Sequence, residues 1–461
     1  MGLYSSIIRK VILPQLLKRD NRGSAIEHWQ FFDQSQYWPR QKLLDYQWQR
    51  IKMLLKHAYE TTGYYRKIFD ERGLSPDSFT SFEDVTRLPI LTRSDLFDHR
   101  TELISDKFDI NNLQEALTGG TTGQQASIYR NQESFNLKLA MAWRHEGWMG
   151  RKPCDRMAYI WPAHIDFHAG ETLKSKLKDR YLLGETVYYA GLNDEKVFEK
   201  YYRDMIKFRP EYMKIFPSCT VPFTQYILNS NFEPLRLRGI MSTGEPLYEN
   251  DRKLFQSAYG CSVYDMYGSR EVGNTSCECS AHEGLHIAME TSYLEFVSQG
   301  KSVDPGEEGE ILITDLTNYA FPMIRYQIND FGIFLKQSCS CGRELPLMSP
   351  GIGRLQDYIY TPDGVRHSGQ MLGYHISAAP DVKIGQIQIV QKTLTDFLVR
   401  ITKKPEPTTK VFDFIKSQMR KLIGEAININ IEIVDKIPRE KSGKTRFVIC
   451  EIQDSEKKAG A

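Results

Sequence analysis

A loop rich in glycine and threonine constrains this chain more tightly than any other stretch of its sequence. Residues 118–125 read Thr-Gly-Gly-Thr-Thr-Gly-Gln-Gln, between short segments typical of β-strands. Glycine reaches backbone conformations and approach distances that a Cβ forbids, so such a loop can wrap its N–H groups and hydroxyls around phosphate oxygens. No lysine follows Gly123, which excludes the Walker A pattern. Because many Gly/Thr turns are ordinary hairpins, the interpretation depends on motifs further along the chain.

Length and composition exclude several broad classes of protein. The 461 residues exceed one ordinary hydrophobic core, so we expect two or three domains. The 60 basic and 58 acidic residues leave a net charge of +2, which gives no broad attraction to nucleic acid or membrane. Charges and a proline interrupt the apolar stretch 2–17, so we expect a loosely docked helix there, without a transmembrane segment or a cleaved signal.

Strand and helix patterns alternate through most of the chain. Apolar residues at spacings of three and four predict a helix over 44–58, and another follows from residue 135. Segments 157–161, 238–243 and 262–267 are typical of buried strands, with helical segments between them. This alternation predicts an α/β fold of layered sheets and helices.

The pattern changes toward the C-terminus. From Glu308 the sequence is rich in β-strand residues, and past Gly353 a smaller unit of strands and one helix follows. We predict a large N-terminal domain over 1–353 and a small C-terminal domain over 354–461, with a hinge near Asp357.

Several residues after predicted strands offer chemistry. Tyr267, on the loop that follows one strand, could stack on a base, and Glu271 on the same loop could ligate Mg²⁺. Asp330 could clamp a ribose diol, and Lys444 lies on a Gly-flexed loop near the C-terminus. Taken singly, each has an ordinary explanation as a core tyrosine, a capping carboxylate or a solvated lysine.

In order, these motifs resemble the acyl-adenylate-forming superfamily, most closely its phenylacetate–CoA ligase-like branch. The resemblance covers nearly the whole chain, and five ordered motifs are much harder to meet by chance than one. The motifs are the loop 118–123, the segment 267–271, Asp330, Gly353-Arg354 with Asp357, and the segment 442–444. The resemblance implies a large adenylate-forming α/β domain and a small, mobile α+β lid domain.

The resemblance also implies a role for each motif in binding ATP. The β- and γ-phosphates would be held by Thr118, Gly119, Gly120, Thr121, Thr122 and Gly123. The remaining roles would be adenine binding for Gly244, Glu245, Tyr267 and Gly268, Mg²⁺ binding for Glu271, ribose binding for Asp330 and Arg354, and α-phosphate binding for Lys444. Attack of a carboxylate on the α-phosphate brings two anions together, so catalysis needs positioning and cations rather than a protein nucleophile.

Paired cysteines predict a second site. Three thiolates and one imidazole would suit a closed, tetrahedral Zn²⁺ with a structural role, and some members of the resembling branch carry such a zinc. The predicted ligands are Cys279, His286, Cys339 and Cys341, with Cys277 and His282 as alternatives. The other interpretation is a set of free buried cysteines. A metal site of thiolates also favours a reducing, cytoplasmic location.

Two departures from the family pattern leave the acyl acceptor open. Ile328-Asn329 replaces the usual Thr-Gly before Asp330, and the segment from Tyr358 differs from the one that shapes the pantetheine passage in CoA ligases. The closer likeness is to capsule- and exopolysaccharide-cluster members of this branch, whose acceptors are less settled. Three acceptors stay open: CoA, an amine or a sugar hydroxyl.

The acid and the oligomeric state are also open. The aromatic and histidine side chains of Trp161, His164, Phe167 and His168 would suit a flat or aryl acid, or would be core packing. A homodimer is compatible with the sequence. Two other functions compete with the ligase: a nucleotidyltransferase that leaves AMP on its acceptor, and a non-catalytic, zinc-stabilised nucleotide-binding relative.

Overall fold

The computed structural model describes residues 6–117, 127–161, 172–189, 195–349, 358–361, 366–368, 372, 376, 386–403, 406–438 and 446–452. The α-helices are α1 Leu13–Arg19, α2 Ser24–Ser35, α3 Arg40–Thr61, α4 Gly63–Glu71, α5 Arg93–Asp98, α6 Gln132–Trp148, α7 Leu173–Lys178, α8 Glu195–Phe208, α9 Pro217–Asn229, α10 Glu249–Tyr259 and α11 Thr409–Ile423. The first ten strands are β1 Gln114–Leu117, β2 Ser127–Arg130, β3 Met157–Trp161, β4 Glu185–Tyr189, β5 Tyr212–Ile215, β6 Gly239–Thr243, β7 Val263–Ser269, β8 Gly273–Glu278, β9 Leu285–Ile287 and β10 Ser292–Ser298. They are followed by β11 Lys301–Ser302, β12 Glu308–Asp315, β13 Tyr326–Leu335, β14 Leu347–Met348, β15 Tyr358–Tyr360, β16 Arg366–Ser368, β17 Ile387–Gln391, β18 Asp396–Thr402, β19 Asn428–Val434 and β20 Val448–Cys450.

A twelve-stranded sheet dominates the fold, in the order β11-β10-β12-β13-β14-β9-β8-β7-β6-β5-β3-β4. The strands from β4 to β7 are parallel, and every pairing beyond β7 is antiparallel. Helices α8, α9 and α10 make the crossover connections that parallel strands require. The predicted α/β architecture is therefore confirmed.

The crossover helices bury their apolar faces against the parallel strands. Phe198 and Met205 of α8 pack with Phe223 of α9 and Phe255 of α10 in a cluster that also contains Ile240 of β6. The spacing between Phe198 and Met205 places both on one face of α8. Each fully buried apolar side chain of this size contributes about 1.5–3 kcal/mol to folding. This packing fixes the carboxyl ends of the parallel strands at one edge of the sheet.

The N-terminal segment is docked more firmly than the sequence predicts. Ile8, Leu13 and Leu17 are buried in a cluster of their own, and Arg9 pairs with the buried carboxylate of Asp155. The expectation of a loosely docked helix was wrong because both apolar burial and an ion pair hold this segment. Among the described helices, none is both long enough and apolar enough to span a membrane.

The C-terminal part of the chain forms a separate four-stranded sheet in the order β19-β18-β17-β20. Its apolar core joins Ile389 and Val399 of this sheet to Ile415 and Met419 of α11. Strands β15 and β16 form a short antiparallel hairpin. The predicted hinge at Asp357 lies outside the described residues, so the boundary between domains 1–353 and 354–461 stays a prediction.

A buried ion pair anchors β13, the strand that carries Asp330. The Nε of Arg325 donates to both carboxylate oxygens of Glu295 at 3.1 Å, and its Nη1 donates to the carbonyls of Thr86 and Leu88 at 3.0 and 2.6 Å. Arg325 has φ +55°, so the chain turns there and β13 begins only at the next residue. A turn at Arg325 therefore interrupts the strand-rich region that was predicted from Glu308 onward.

Arg325→Met should destabilise the protein strongly. It leaves the Glu295 carboxylate buried without its partner, and breaking a buried pair in this way costs about 3–5 kcal/mol. Arg203→Met is a suitable control because Arg203 pairs with Glu199 on the exposed face of α8, and such surface pairs contribute about 0–1 kcal/mol. Urea unfolding of both variants measures the difference; equal losses would contradict the anchoring role.

Candidate functional site

The carboxyl ends of the parallel strands define the candidate site. β3 ends at Trp161, β6 at Thr243 and β7 at Ser269, so these ends lie along one edge of the sheet. Ligands of open α/β sheets bind in the crevice outside this edge. Several of the candidate residues predicted from the sequence lie at or next to these strand ends, among them Gly244 and Tyr267.

The loop predicted to hold phosphates connects two paired strands. β1 and β2 are antiparallel, with Leu117 opposite Ser127, which confirms the predicted strands on both sides of the loop. The loop itself lies outside the described residues, and with it Thr118, Gly119, Gly120, Thr121, Thr122 and Gly123. The same holds for Arg354, for Lys444, and for His164, Phe167 and His168 of the predicted acid pocket.

Two predicted nucleotide-binding residues are in direct contact. The hydroxyl of Tyr267 donates a hydrogen bond of 2.9 Å to Oδ2 of Asp330. The sequence predicted Tyr267 on the loop after β7, but the residue lies within the strand. The pairing of β7 with β8 continues as far as Ser269, which lies opposite Gly273. The contact brings the aromatic ring of the parallel half of the sheet to the carboxylate of the antiparallel half.

A β-bulge lies between Tyr267 and its neighbour Gly268. The pairing of β7 with β8 shifts register there, and a Cβ on residue 268 would lie 2.4 Å from the carbonyl oxygen of Gly273. Only glycine therefore fits, although its φ is ordinary. Bulges change the direction of side chains next to sites, and this one lies between Tyr267 and the turn that carries Glu271.

The replacement of glycine by Asn329 has a physical explanation. Asn329 has φ +61°, in the left-handed region that most side chains avoid. Asparagine is one of the few residues other than glycine that adopts this conformation readily. Asn329 therefore adopts a backbone conformation that glycine also adopts freely, so the replacement of glycine before Asp330 is compatible with the local structure.

The turn between β7 and β8 presents Glu271. The hydroxyl oxygen of Ser269 accepts hydrogen bonds from the backbone N–H groups of Glu271 and Val272 at 3.2 and 3.3 Å. The Glu271 side chain is half-buried, and within the described residues its carboxylate makes no hydrogen bond or ion pair. Arg130 and Lys138 contact the carbonyls of the same turn. Sequence reasoning missed both, because a single basic residue in a strand or helix carries no local signal.

Gly244, predicted to border adenine, directly follows the last residue of β6. Its φ is +77°, and a Cβ there would lie 2.3 Å from ring atoms of Phe216. The Phe216 ring in turn packs edge-on against Trp161, with centroids 4.4 Å apart. Glu245 follows on the same half-buried turn. Glycine at 244 thus lets the turn lie on an aromatic pair at the ends of β3 and β5.

The predicted metal ligands converge at the far end of β8. The ligand atoms of Cys279, His286, Cys339 and Cys341 all lie within 4.8 Å of one another. The two sulfurs of Cys279 and Cys339 are 3.5 Å apart, and Nε2 of His286 is 3.3 Å from the sulfur of Cys341. The favoured set of three thiols and one imidazole is therefore assembled by the fold.

The two alternative ligands do not belong to this cluster. The thiol of Cys277 donates to the carbonyl of Glu278 at 3.4 Å, and Nδ1 of His282 lies 3.1 Å from the Glu278 carboxylate. The prediction of Cys277 as a metal ligand is thus wrong. β8 ends at Glu278, so Cys279 begins the turn toward β9 and no longer follows the orientation of Cys277.

His286 is prepared to act as a ligand through Nε2. Its Nδ1–H donates to the carbonyl of Leu345 at 3.1 Å, which leaves Nε2 facing the thiols. Burial lowers the pKa of His286 to about 4, so the ring is neutral near pH 7. Burial would raise the pKa of the Cys341 thiol, but hydrogen bonds with Arg343, Cys339 and Cys279 together lower it. Burial raises the pKa of Cys279 and Cys339. A neutral imidazole is the form of histidine that binds metal, and the three thiols would release their protons when a metal ion binds.

Comparison with known sequences finds relatives along most of the chain. The domain family described as the CapK C-terminal domain matches residues 359–451. A phenylacetate–coenzyme A ligase of Thermus thermophilus is 27% identical over 339 residues, covering 70% of this chain and 72% of the relative. Protein CapK of Staphylococcus aureus is 24% identical over 433 residues, covering 89% of this chain and 90% of the relative.

Comparison with solved structures identifies the same architecture. The crystal structure of 2-hydroxyisobutyryl-CoA ligase, in the postadenylation state with an acyl-AMP bound, superposes with a TM-score of 0.73 at 18% identity. The match covers 91% of this chain and 93% of the ligase. An anthranilate CoA ligase with anthranoyl-AMP gives a TM-score of 0.54 at 18% identity, over 74% of this chain and 67% of that ligase. At these identities the likeness shows the fold.

Gly244→Ala should disturb the site more than a matched glycine replacement elsewhere. Gly300 has the same φ of +77° but nothing within 4 Å of the position of a Cβ. Gly300→Ala therefore reports backbone strain alone, about 1–2 kcal/mol, whereas Gly244→Ala adds a clash with Phe216 that costs about 1–3 kcal/mol more. Chemical unfolding measures both losses, and a smaller loss for Gly244→Ala than for Gly300→Ala would contradict the packing described here.

Proposed function

Because the chain belongs to the acyl-adenylate-forming superfamily, in the branch of the phenylacetate–CoA ligases and CapK, we propose that it activates a carboxylic acid with ATP. The first half-reaction joins the acid to AMP and releases pyrophosphate. The second transfers the acyl group from AMP to an acceptor, for which we propose coenzyme A.

The contact between Tyr267 and Asp330 carries this proposal. It combines an aromatic face with a carboxylate at the strand-end edge, the pair of groups that an adenosine needs for its base and its ribose hydroxyls. Glu271 follows on the adjacent turn, and Arg130, at the end of β2, bonds to the backbone of that turn. A nucleoside triphosphate is the ligand that matches these groups together.

Charge governs the proposed chemistry of adenylation. A carboxylate oxygen of the acid attacks the α-phosphorus, the new acyl–phosphate bond forms, and the bond to pyrophosphate breaks. Both reactants are anionic, so the reaction depends on cations and on alignment. Lys444 would reach the α-phosphate and the acid, and the loop 118–123 would hold the leaving phosphates. Glu271 would bind Mg²⁺, which when bound neutralises phosphate charge.

Coenzyme A is the proposed acceptor because the ligase relatives of this chain are named as coenzyme A ligases. Phenylacetate–coenzyme A ligases of Thermus thermophilus and Escherichia coli are 27% and 28% identical to this chain. Its thiol would attack the acyl carbonyl, form a thioester and release AMP. An amine or a sugar hydroxyl is the second candidate acceptor, because the segment from Tyr358 departs from the pattern of the CoA ligases and the C-terminal unit matches the CapK C-terminal domain instead.

We also propose that Cys279, His286, Cys339 and Cys341 hold a structural Zn²⁺. In a tetrahedral site with Zn–S bonds of about 2.3 Å, two sulfurs lie about 3.8 Å apart, close to the 3.5 Å between Cys279 and Cys339. The bond from Nδ1 of His286 to a backbone carbonyl is the arrangement that orients metal-binding imidazoles. The fourth position is filled by protein, so the ion would stabilise the fold and take no part in catalysis.

Pyrophosphate release tests the proposed function. The protein, with ATP and Mg²⁺, should release pyrophosphate with at least one acid of a broad panel, and mass spectrometry with CoA, amines and sugars should then identify the acylated acceptor. Lys444→Ala should slow release about 100-fold or more, since it removes a cation from the reacting phosphate. Lys441→Ala, three residues earlier in the sequence, is the control and should retain activity. A stable AMP-modified acceptor would instead indicate a nucleotidyltransferase, and silence with every acid would favour a non-catalytic relative.

Metal content tests the zinc site separately. The purified protein should contain about one zinc per chain, and the double variant Cys339→Ser, Cys341→Ser should lose the metal and unfold at a lower temperature. Cys277→Ser removes a buried cysteine two residues from Cys279 without removing a ligand, so its zinc content should remain that of the natural protein. Equal zinc loss in both variants, measured by elemental analysis, would refute the assignment of ligands.

A further inference from the structure

We propose that Arg130 and Lys138 are positioning residues for Glu271, because they hold the backbone of the turn that would bind Mg²⁺. The two cations donate hydrogen bonds to three consecutive backbone carbonyls. Arg130 bonds to those of Arg270 and Glu271, and Lys138 bonds to that of Val272. This inference rests on the proposed function, and it assigns roles to two residues that no sequence motif singled out.

Arg130 connects strand β2 to the turn that carries Glu271. It is the last residue of β2, the strand that leaves the loop 118–126, and it is buried. Its Nη2 donates to the carbonyls of Arg270 and Glu271, the latter at 3.0 Å. A rigid link between the two segments means that a shift of β2 is transmitted to the backbone of Glu271.

Lys138 holds the other side of the turn. Its Nζ, on α6, donates to the carbonyl of Val272 and to Oδ2 of Asp315, both at 2.8 Å. The second oxygen of Asp315 accepts from the backbone N–H and the hydroxyl of Thr317 at 2.9 and 2.6 Å. Burial lowers the pKa of Lys138 to about 8, while Asp315 opposes the shift, so the amine is still mostly charged at pH 7. The ammonium group of Lys138 is thus held between the Val272 carbonyl and the Asp315 carboxylate, which Thr317 holds in turn.

These contacts hold the backbone at Glu271 and do not involve its carboxylate. Both cations bond to backbone carbonyls, and the N–H groups of Glu271 and Val272 bond to Ser269, so the polar groups of the turn are held while its carboxylate makes no hydrogen bond within the described residues. Groups that orient a metal ligand in this way commonly change metal affinity by about 10–100-fold when they are removed.

A charge-balanced double variant tests the proposal. Lys138→Met alone would leave Asp315 buried and unpaired, and such a change can prevent folding. Lys138→Met with Asp315→Asn removes both charges, and the amide oxygen still accepts the bonds from Thr317. The Mg²⁺ concentration for half-maximal pyrophosphate release should rise about tenfold or more, while KM for the acid stays unchanged. The affinity of Mn²⁺ for the ATP-bound protein, measured by electron paramagnetic resonance, should fall by the same factor.

The matched control removes an ion pair far from this turn. Arg180 pairs with Asp204 at 2.8 Å beside β4, the end strand of the sheet. Arg180→Met with Asp204→Asn should leave both metal measurements unchanged. The proposal is overturned if the Lys138 variant folds and keeps the natural Mg²⁺ and Mn²⁺ midpoints, or if the control shifts them equally. If the natural protein releases no pyrophosphate but the Mn²⁺ affinity shifts as expected, the proposed function fails and the positioning role stands.

Discussion

The hydrogen bond between Tyr267 and Asp330 joins the two halves of the large sheet, and the candidate site depends on that junction. Tyr267 ends the parallel half, where crossover helices fix the strand ends, and Asp330 belongs to the antiparallel half, where the pair of Arg325 and Glu295 anchors β13. Neither half alone provides both groups. The bulge at Gly268 makes the junction feasible, since a side chain there would collide with the returning strand.

Strand β8 connects the two sites that the sequence predicted separately. At its start, the turn carrying Glu271 is bonded to Arg130 and Lys138, and just beyond its end Cys279 enters the thiol and imidazole cluster. A strand that is held at both ends moves little. Groups that are preorganised in this way lose less free energy to reorganisation when charge develops. A zinc ion at the cluster would therefore support the geometry of the active site without taking part in the chemistry.

Local patterns predicted what depends on local physics. The helices and strands followed from apolar periodicity, and the metal cluster followed from the few soft side chains that could meet. The choice of Cys279 over Cys277 depended on the residue at which β8 ends, which periodicity does not define. The contact of Tyr267 with Asp330 required the strand order of the sheet. The cations behind Glu271 were missed because their partners are backbone carbonyls, which any sequence provides.

The division of the chain into two sheets has a consequence for the acyl acceptor. The groups proposed to bind the nucleotide lie on the large sheet, whereas β17–β20 and α11 form a core of their own. Phe447, next to the described β20, reaches across to the ring of Tyr248 with centroids 5.8 Å apart, which brings the small unit to the turn after Gly244. Changes on the small unit's outer surface can therefore alter which nucleophile approaches the acyl-adenylate while the adenosine-binding contacts stay intact. If the proposed function is correct, a change of acceptor would therefore require changes mainly in the small unit, and the adenosine-binding candidates on the large sheet would be retained.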